Sequence, residues 1–213
     1  YEFSSHIPMI LRWPEQWPEQ WLSGRRRIGP HPPSVTLPRG SVVHALVELR
    51  DVAPTLLDAA GALPTWATEA MDGSSSKAMD GSSLLCFLGA GGCPSWRALL
   101  GLEHNTCYNA SNHWNAIIDG QTKYIFHAQH ATEQLFDLGA DPYERNDLAA
   151  SPAHAATLTA LRAALVAQFE REGRGPVWVR PNGTLPARPE SQNYGPNYPG
   201  KPPPAGDVDE ARS

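Results

Sequence analysis

The chain has 213 residues, 41% of them apolar, which is enough to build a sizeable core. A net charge of −5 argues against a nucleic-acid-binding face, which needs clustered Lys and Arg, and no apolar run approaches the ~18 residues of a membrane-spanning helix. Twenty-one prolines and eighteen glycines predict a loop-rich chain with long irregular stretches.

In chain order, Tyr1-Glu2-Phe3-Ser4-Ser5-His6 has neither an initiator methionine nor the basic and apolar regions of a signal peptide, so the chain reads as cut from something longer. Residues 7–14, Ile-Pro-Met-Ile-Leu-Arg-Trp-Pro, form a short apolar run ended by proline and predict a buried strand of a parallel sheet. The unit Trp-Pro-Glu-Gln is then repeated in tandem over residues 13–21, a period too short to bury anything by stacking and therefore a loop duplication. Arg25, Arg26 and Arg27, flanked by glycines, read as a solvated loop.

Residues 47–61 predict a helix with Val52, Leu56 and Ala59 or Ala60 on one face, Asp51 as a cap and Gly61 as its end. A microrepeat follows, Ala-Met-Asp-Gly-Ser-Ser at 70–75 and again at 78–83, and both copies read as tolerated expansions of a Gly/Ser-rich connection. From Trp96 to Leu138 the pattern changes to short β-like runs at 97–103, 113–119, 123–127 and 133–138. Asp119-Gly120 stands between two of them as a hairpin turn, so the region predicts an antiparallel meander. Asp137, Asp141-Pro142 and Glu144 are turn formers. Ser151-Pro152 then opens a helix with serine as cap, Leu158, Leu161, Leu165 and Phe169 form its apolar stripe, and Gly173 ends it. Beyond Gly173 the prolines return, and the remaining residues are expected to wrap over the surface or stay disordered.

The residues that could carry chemistry do not, by themselves, name a reaction. His104 with His113, and His127 with His130, have superficially useful spacing, but 127 and 130 on a strand would point to opposite faces, so no metal site is expected. Cys86, Cys93 and Cys107 allow at most one disulfide, with its pairing open. Asn109-Ala110-Ser111 and Asn182-Gly183-Thr184 are glycosylation sequons if the chain enters a secretory lumen. No Gly-rich phosphate loop or Ser/His/Asp elbow is present, and carboxylate pairs such as Glu48 with Asp51 stand in capping or turn contexts.

The order and wording of the segments resemble the carboxy-terminal part of the type I sulfatases, the arylsulfatase-like branch of the alkaline-phosphatase-like superfamily. The matching stretches are Tyr1-Glu2 with residues 6–14; the helix at 47–61, the most specific of them; Asp80-Gly81-Ser82-Ser83-Leu84 with Leu88-Gly89; Glu103-His104, Trp114 and Lys123-Tyr124-Ile125; and Glu133 to Leu138 with Asp141-Pro142, Glu144 and Asp147-Leu148-Ala149. They run over residues 1–172, with a weaker echo at Tyr194-Gly195-Pro196-Asn197.

The resemblance implies an α/β fold: the end of an alkaline-phosphatase-like mixed sheet followed by a small antiparallel sheet packed with a C-terminal helix. Residues 1–64 would be the end of the catalytic α/β domain, 65–95 a Gly/Ser-rich connection, 96–173 a small subdomain and 174–213 a Pro-rich tail. It further implies a sulfuric ester hydrolase acting on aryl or carbohydrate sulfates, with calcium holding the sulfate against a formylglycine made from a Cys-x-Pro-x-Arg cysteine. Here Cys93-Pro94-Ser95-Trp96-Arg97 has proline one residue too early, so Cys93 is not expected to be that nucleophile.

No catalytic residue and no metal ligand is therefore expected in this chain. The missing amino-terminal half would be its partner, and the chain alone would be inactive. His104 and Glu103 would stand at the rim of the substrate pocket, and a secretory, lysosomal or extracellular location fits the family and the sequons. Two further readings remain, a phosphodiesterase or phosphonate hydrolase of the same superfamily, and a degenerate, non-catalytic protein that binds sulfated glycans or associates with a partner.

Overall fold

The computed structural model describes residues 5–12, 40–63, 79–88, 92–104 and 112–188. Outside them lie the tandem repeat from residue 13 on, the basic run at 25–27, the first microrepeat copy at 70–75, Cys107, Asn109 and the segment 194–197. The chain divides into two units, Tyr1–Leu100 and Gly101–Ser213, which are taken in turn.

The first unit is organised around a buried carboxylate. A 3-10 turn, Leu49–Asp51, runs into helix α1, Val52–Ala59, and Gly61 follows with φ +63°, the left-handed conformation expected of a residue just past a helix end. Asp51 was expected to cap the helix with its side chain, but it makes no such bond to α1. Its carboxylate, 0% exposed, instead accepts from the Glu48 and Ser82 amides at 2.8 and 2.9 Å and from both terminal nitrogens of Arg97 at 2.6 Å each. Thr55 continues the network, donating to the Asp51 carbonyl at 2.6 Å and accepting from the Leu84 amide at 2.9 Å.

This corrects the reading of the second microrepeat copy as a tolerated expansion. Its Ser82 amide and Ser83 hydroxyl are bonded to Asp51 and Asp58, and a Cβ on Gly81 would lie 1.9 Å from the Arg50 carbonyl oxygen. Only a residue without a side chain fits there. The 3-10 segment Leu84–Leu88 then buries Leu84, Leu85 and Leu88, and a Cys86–Cys93 disulfide ties it to the turn that leads to Trp96, whose indole donates to the Leu46 carbonyl at 2.8 Å.

One expectation for this unit fails. Residues 7–12, the described part of the expected strand, form none, and Ile10 is 89% exposed. A parallel strand exists only through the ladder bonds of its neighbours, and among the described residues this segment has none. The face of α1 carrying Val52 and Leu56 is likewise exposed, Leu56 by 64%, while Pro54 and Thr55 are the buried positions. The helical period was right, but it did not determine which face is covered.

The second unit contains a sheet of order β1-β2-β3-β4, with β1 Leu100–His104, β2 Trp114–Ile118, β3 Thr122–His127 and β4 Thr132–Asp137. Pairs β2·β3 and β3·β4 are antiparallel, with Ile117 opposite Tyr124 and Tyr124 opposite Leu135. The expected Asp119-Gly120 hairpin is present: Asp119 Oδ1 accepts from the Gln121 and Thr122 amides, and Gly120 takes φ +97°.

Both faces of the sheet are buried, so consecutive residues of β2 and β3, such as Ala116-Ile117 and Tyr124-Ile125-Phe126, are buried together. Ile117, Tyr124, Phe126 and Leu135 pack with Leu161, Leu165 and Phe169 of helix α2, Ala155–Arg171, while Ala116, Ile125 and Phe136 form a cluster on the other side. Arg162 of α2 grips Glu133 of β4 at 2.5 and 2.6 Å, and the buried Tyr124 hydroxyl donates to the same carboxylate at 2.5 Å. Lys123 and Glu144 add a buried ion pair of 3.0 Å.

At the start of α2, Ser151 is followed by a 3-10 turn, Pro152–His154, and its hydroxyl makes no capping bond to the backbone. It meets the His154 ring at 3.1 Å instead. The helix ends as expected. The Arg174 amide reaches the Phe169 carbonyl and the Gly173 amide the Glu170 carbonyl, with Gly173 at φ +66°, a Schellman arrangement. Residues beyond Gly173 belong to the core more than their prolines implied: Trp178, Val179 and Leu185 pack on the α2 cluster, and the Arg188 amide donates to the Ala128 carbonyl at 2.6 Å.

Candidate binding site around Trp178

Glu103 and His104, the two residues expected at a pocket rim, close strand β1. The His104 ring stacks on Trp114, centroids 5.8 Å apart, and its Nδ1 lies 2.9 Å from the Asn112 carbonyl oxygen. A carbonyl only accepts, so Nδ1 carries the proton and a neutral His104 presents Nε2 as an acceptor. Glu103 is exposed on one side and on the other binds Arg174 at 2.6 Å, with the Asn115 amide at 3.5 Å.

Arg174 leads into a cluster that the sequence did not single out. Its guanidinium lies 4.5 Å from the Trp178 ring centre and also binds Glu172 at 2.5 Å. Burial lowers the Arg174 pKa, but the two carboxylates outweigh it and the group is held above its ordinary value. Arg188 lies 4.2 Å from the same indole, and among the described residues its side chain makes one hydrogen bond, to the Asn115 side-chain oxygen at 2.5 Å. Its Nε and Nη1 atoms are buried without a hydrogen-bond partner among the described residues. Burial first, and the Arg174 charge second, bring the Arg188 pKa down to about 10.

His113 meets the edge of Trp178, centroids 6.0 Å apart, and its Nδ1 is also buried and unpartnered. Burial depresses its pKa, with the Arg188 charge acting in the same direction and Glu103 against it. The cluster therefore combines two guanidiniums and an imidazole around one indole, and it lacks a nucleophile.

Elsewhere, Cys93 is committed to the disulfide with Cys86, and Arg97, four residues on, is bound to Asp51. His127 pairs with Gln134 at 2.7 Å and His130 is exposed in the following turn, so neither brings a ligand to the other. Among the described residues no group of three or more His, Cys, Asp or Glu could hold a metal ion. Asn182 stands in an exposed turn in which the Thr184 hydroxyl donates to its side-chain oxygen at 2.7 Å. No helix among the described residues is long and apolar enough to cross a membrane.

Sequence reasoning missed Arg174, Trp178 and Arg188 because they lie beyond Gly173, in a stretch its prolines marked as tail. The one signal available was a large aromatic residue, Trp178, between two arginines.

No protein-family model matches the chain. The chain is 31% identical over 137 residues to an arylsulfatase of Clostridium perfringens, a match covering 64% of this chain and 25% of that enzyme. Among solved structures it is similar to a 2-O GAG sulfatase, with 24% identity, TM-score 0.48, and coverage of 72% of this chain and 30% of that one. It is similar also to a phosphonate monoester hydrolase from Silicibacter pomeroyi, with 26% identity, TM-score 0.47, and coverage of 64% and 27%. The chain thus spans about a quarter of the length of the curated relative it matches. The sequence match makes the chain similar to an arylsulfatase over part of its own length and a smaller part of that enzyme's.

Proposed function

We propose that this chain is part of an arylsulfatase-like sulfuric ester hydrolase, to which it contributes scaffold and the rim of the substrate pocket. The observation that carries this reading is the 137-residue sequence match to an arylsulfatase. The nucleophile, the calcium ion and its ligands belong in this proposal to the rest of the enzyme, and the chain alone turns nothing over. The exposed apolar residues of the first unit, Val42, Leu49 and Leu56 among them, support a covering partner, since an apolar patch left in water is an association surface.

Within the pocket, His104 Nε2 is the atom we assign to the substrate's leaving group. Glu103 acts by holding Arg174. A sulfate ester, aryl or carbohydrate, is the substrate class. A secretory, lysosomal or extracellular location is supported by the Cys86–Cys93 disulfide and by the exposed sequon at Asn182.

A chimera tests the proposal. The matched quarter of the Clostridium perfringens arylsulfatase is replaced by the corresponding residues of this chain, and hydrolysis of an aryl sulfate and of an aryl phosphonate monoester is measured. The expected result is calcium-dependent sulfate ester hydrolysis, reduced roughly 10-fold or more in kcat/KM by His104→Ala through loss of one positioned contact. A folded chimera that cleaves only the phosphonate would replace the reading by the phosphonate hydrolase one. One that cleaves neither would favour a non-catalytic relative.

A further inference from the structure

The Asp51 carboxylate is held by two segments of the first unit that lie far from it in sequence. Ser82 reaches it from the stretch that runs into the 3-10 turn Leu84–Leu88, and Arg97 reaches it with both terminal nitrogens. The Cys86–Cys93 disulfide joins these two segments across a sequence separation of 7. Cys93 also opens the tight turn that delivers Arg97: its carbonyl accepts from the Trp96 amide at 3.0 Å, and Pro94 takes the second position of the turn, which suits its fixed φ. Trp96 is fixed in its turn. Phe87 meets its ring edge-on, centroids 4.7 Å apart, its indole donates to the Leu46 carbonyl at 2.8 Å, and the Arg97 guanidinium lies 4.7 Å from its ring centre.

The contacts that aim Arg97 at Asp51 therefore stand directly beside the sulfur bridge. Both cysteines are half-buried, so a dissolved thiol can approach the bridge, whereas the carboxylate it serves is 0% exposed. Opening a bridge of this short span returns less entropy to the unfolded chain than opening a long loop. The folded state feels it more. Freeing Cys93 loosens the turn, Arg97 leaves, and Asp51 remains as a buried charge without its cation.

We propose that the Cys86–Cys93 disulfide is a redox-operated clasp on the Asp51–Arg97 pair, closed under oxidising conditions and opened by a dithiol reductant. One thiolate of the reductant attacks a bridge sulfur and expels the other cysteine. Its second thiolate then attacks the mixed disulfide and expels the first. The bridge gains two electrons and two protons, and the reductant becomes a disulfide. The clasp stands on the contacts within the first unit and does not depend on the hydrolase reading.

The test uses the whole 213-residue chain, purified oxidised, with and without dithiothreitol, beside the double variant Cys86→Ser/Cys93→Ser. Thiol titration verifies that the bridge has opened. Thermal midpoints are read, and limited trypsin digestion gives the rate of cleavage after Arg97, with cleavage after Arg162 in the second unit as internal control. Reduction should lower the wild-type midpoint by roughly 5–10 °C. It should speed cleavage after Arg97 by about 10-fold or more and leave cleavage after Arg162 unchanged, because proteolysis follows the population of the opened segment. The double variant should behave as the reduced chain and ignore the reductant.

Should the double variant fail to fold, the wild type with and without reductant supplies the reading by itself. An unchanged rate of cleavage after Arg97 with the bridge open would overturn the clasp, even beside a lowered midpoint, and leave the disulfide a staple of the unfolded chain. An equal response of the double variant to the reductant would also overturn it, by placing the chemistry at Cys107.

Discussion

Asp51 in the first unit and Arg188 in the second are both buried charges, and they differ in what surrounds them. Asp51 collects two backbone amides and a two-pronged arginine. Burial raises its pKa, but the bonds from Arg97, Ser82 and Glu48 outweigh it and the group is held below the ordinary carboxylate range. Arg188 collects one side-chain amide oxygen and an aromatic wall, and its pKa falls. A satisfied buried charge fixes the fold around itself. An unsatisfied one marks a place where something else is required.

The largest effect should come from unbalancing the satisfied node. Arg97→Ala leaves Asp51 buried without its cation and should cost about 3–5 kcal/mol, read by denaturant unfolding. Gly81→Ala attacks the same node sterically, placing a Cβ against the Arg50 carbonyl, and should cost about 1–3 kcal/mol. In the second unit, Tyr124→Phe removes one donor from Glu133 while Arg162 still holds it, so the loss should be near 1 kcal/mol.

Acidification separates the two regions further. The His113 pKa is depressed on folding, so the unfolded chain takes up the proton first. Its contribution is complete above about 6.5 and declines as pH falls toward the folded value, at up to about 1.4 kcal/mol per pH unit. The Asp51 pKa is also depressed, but its window opens only below about 3.8, so that contribution is unchanged between pH 7 and 5. His113→Gln should therefore flatten the stability profile between pH 7 and 5, with Arg188 and Glu103 as the charged neighbours and the His104 ring beside them. An unchanged slope would show that His113 is not the titrating group.

Sequence legibility followed the range of the interactions. The Asp119-Gly120 hairpin, the Leu161, Leu165 and Phe169 stripe and the Gly61 and Gly173 helix ends depend on neighbours a few residues away, and each was readable. The strand expected at residues 7–14 was not, because a strand is defined by its partners. The burial of Pro54 and Thr55 instead of Leu56 was not, because periodicity gives faces without saying which is covered. Asp51 was marked as a cap when its partners lie 31 and 46 positions away, at Ser82 and Arg97. Glu103 and His104 were named from a resemblance alone, whereas Arg174 and Arg188 depend on a chain reversal that no local pattern encodes.

The contrast between the two buried charges is tested most directly by one pair of thermal unfolding measurements in sulfate-free buffer at pH 7, on Asp51→Asn and Arg188→Met. Asp51→Asn should lower the midpoint by several degrees. Arg188→Met should leave it unchanged or raise it, because the charge it removes has no carboxylate partner among the described residues. Comparable losses from both substitutions would contradict the account by showing that Arg188 is satisfied within the protein itself.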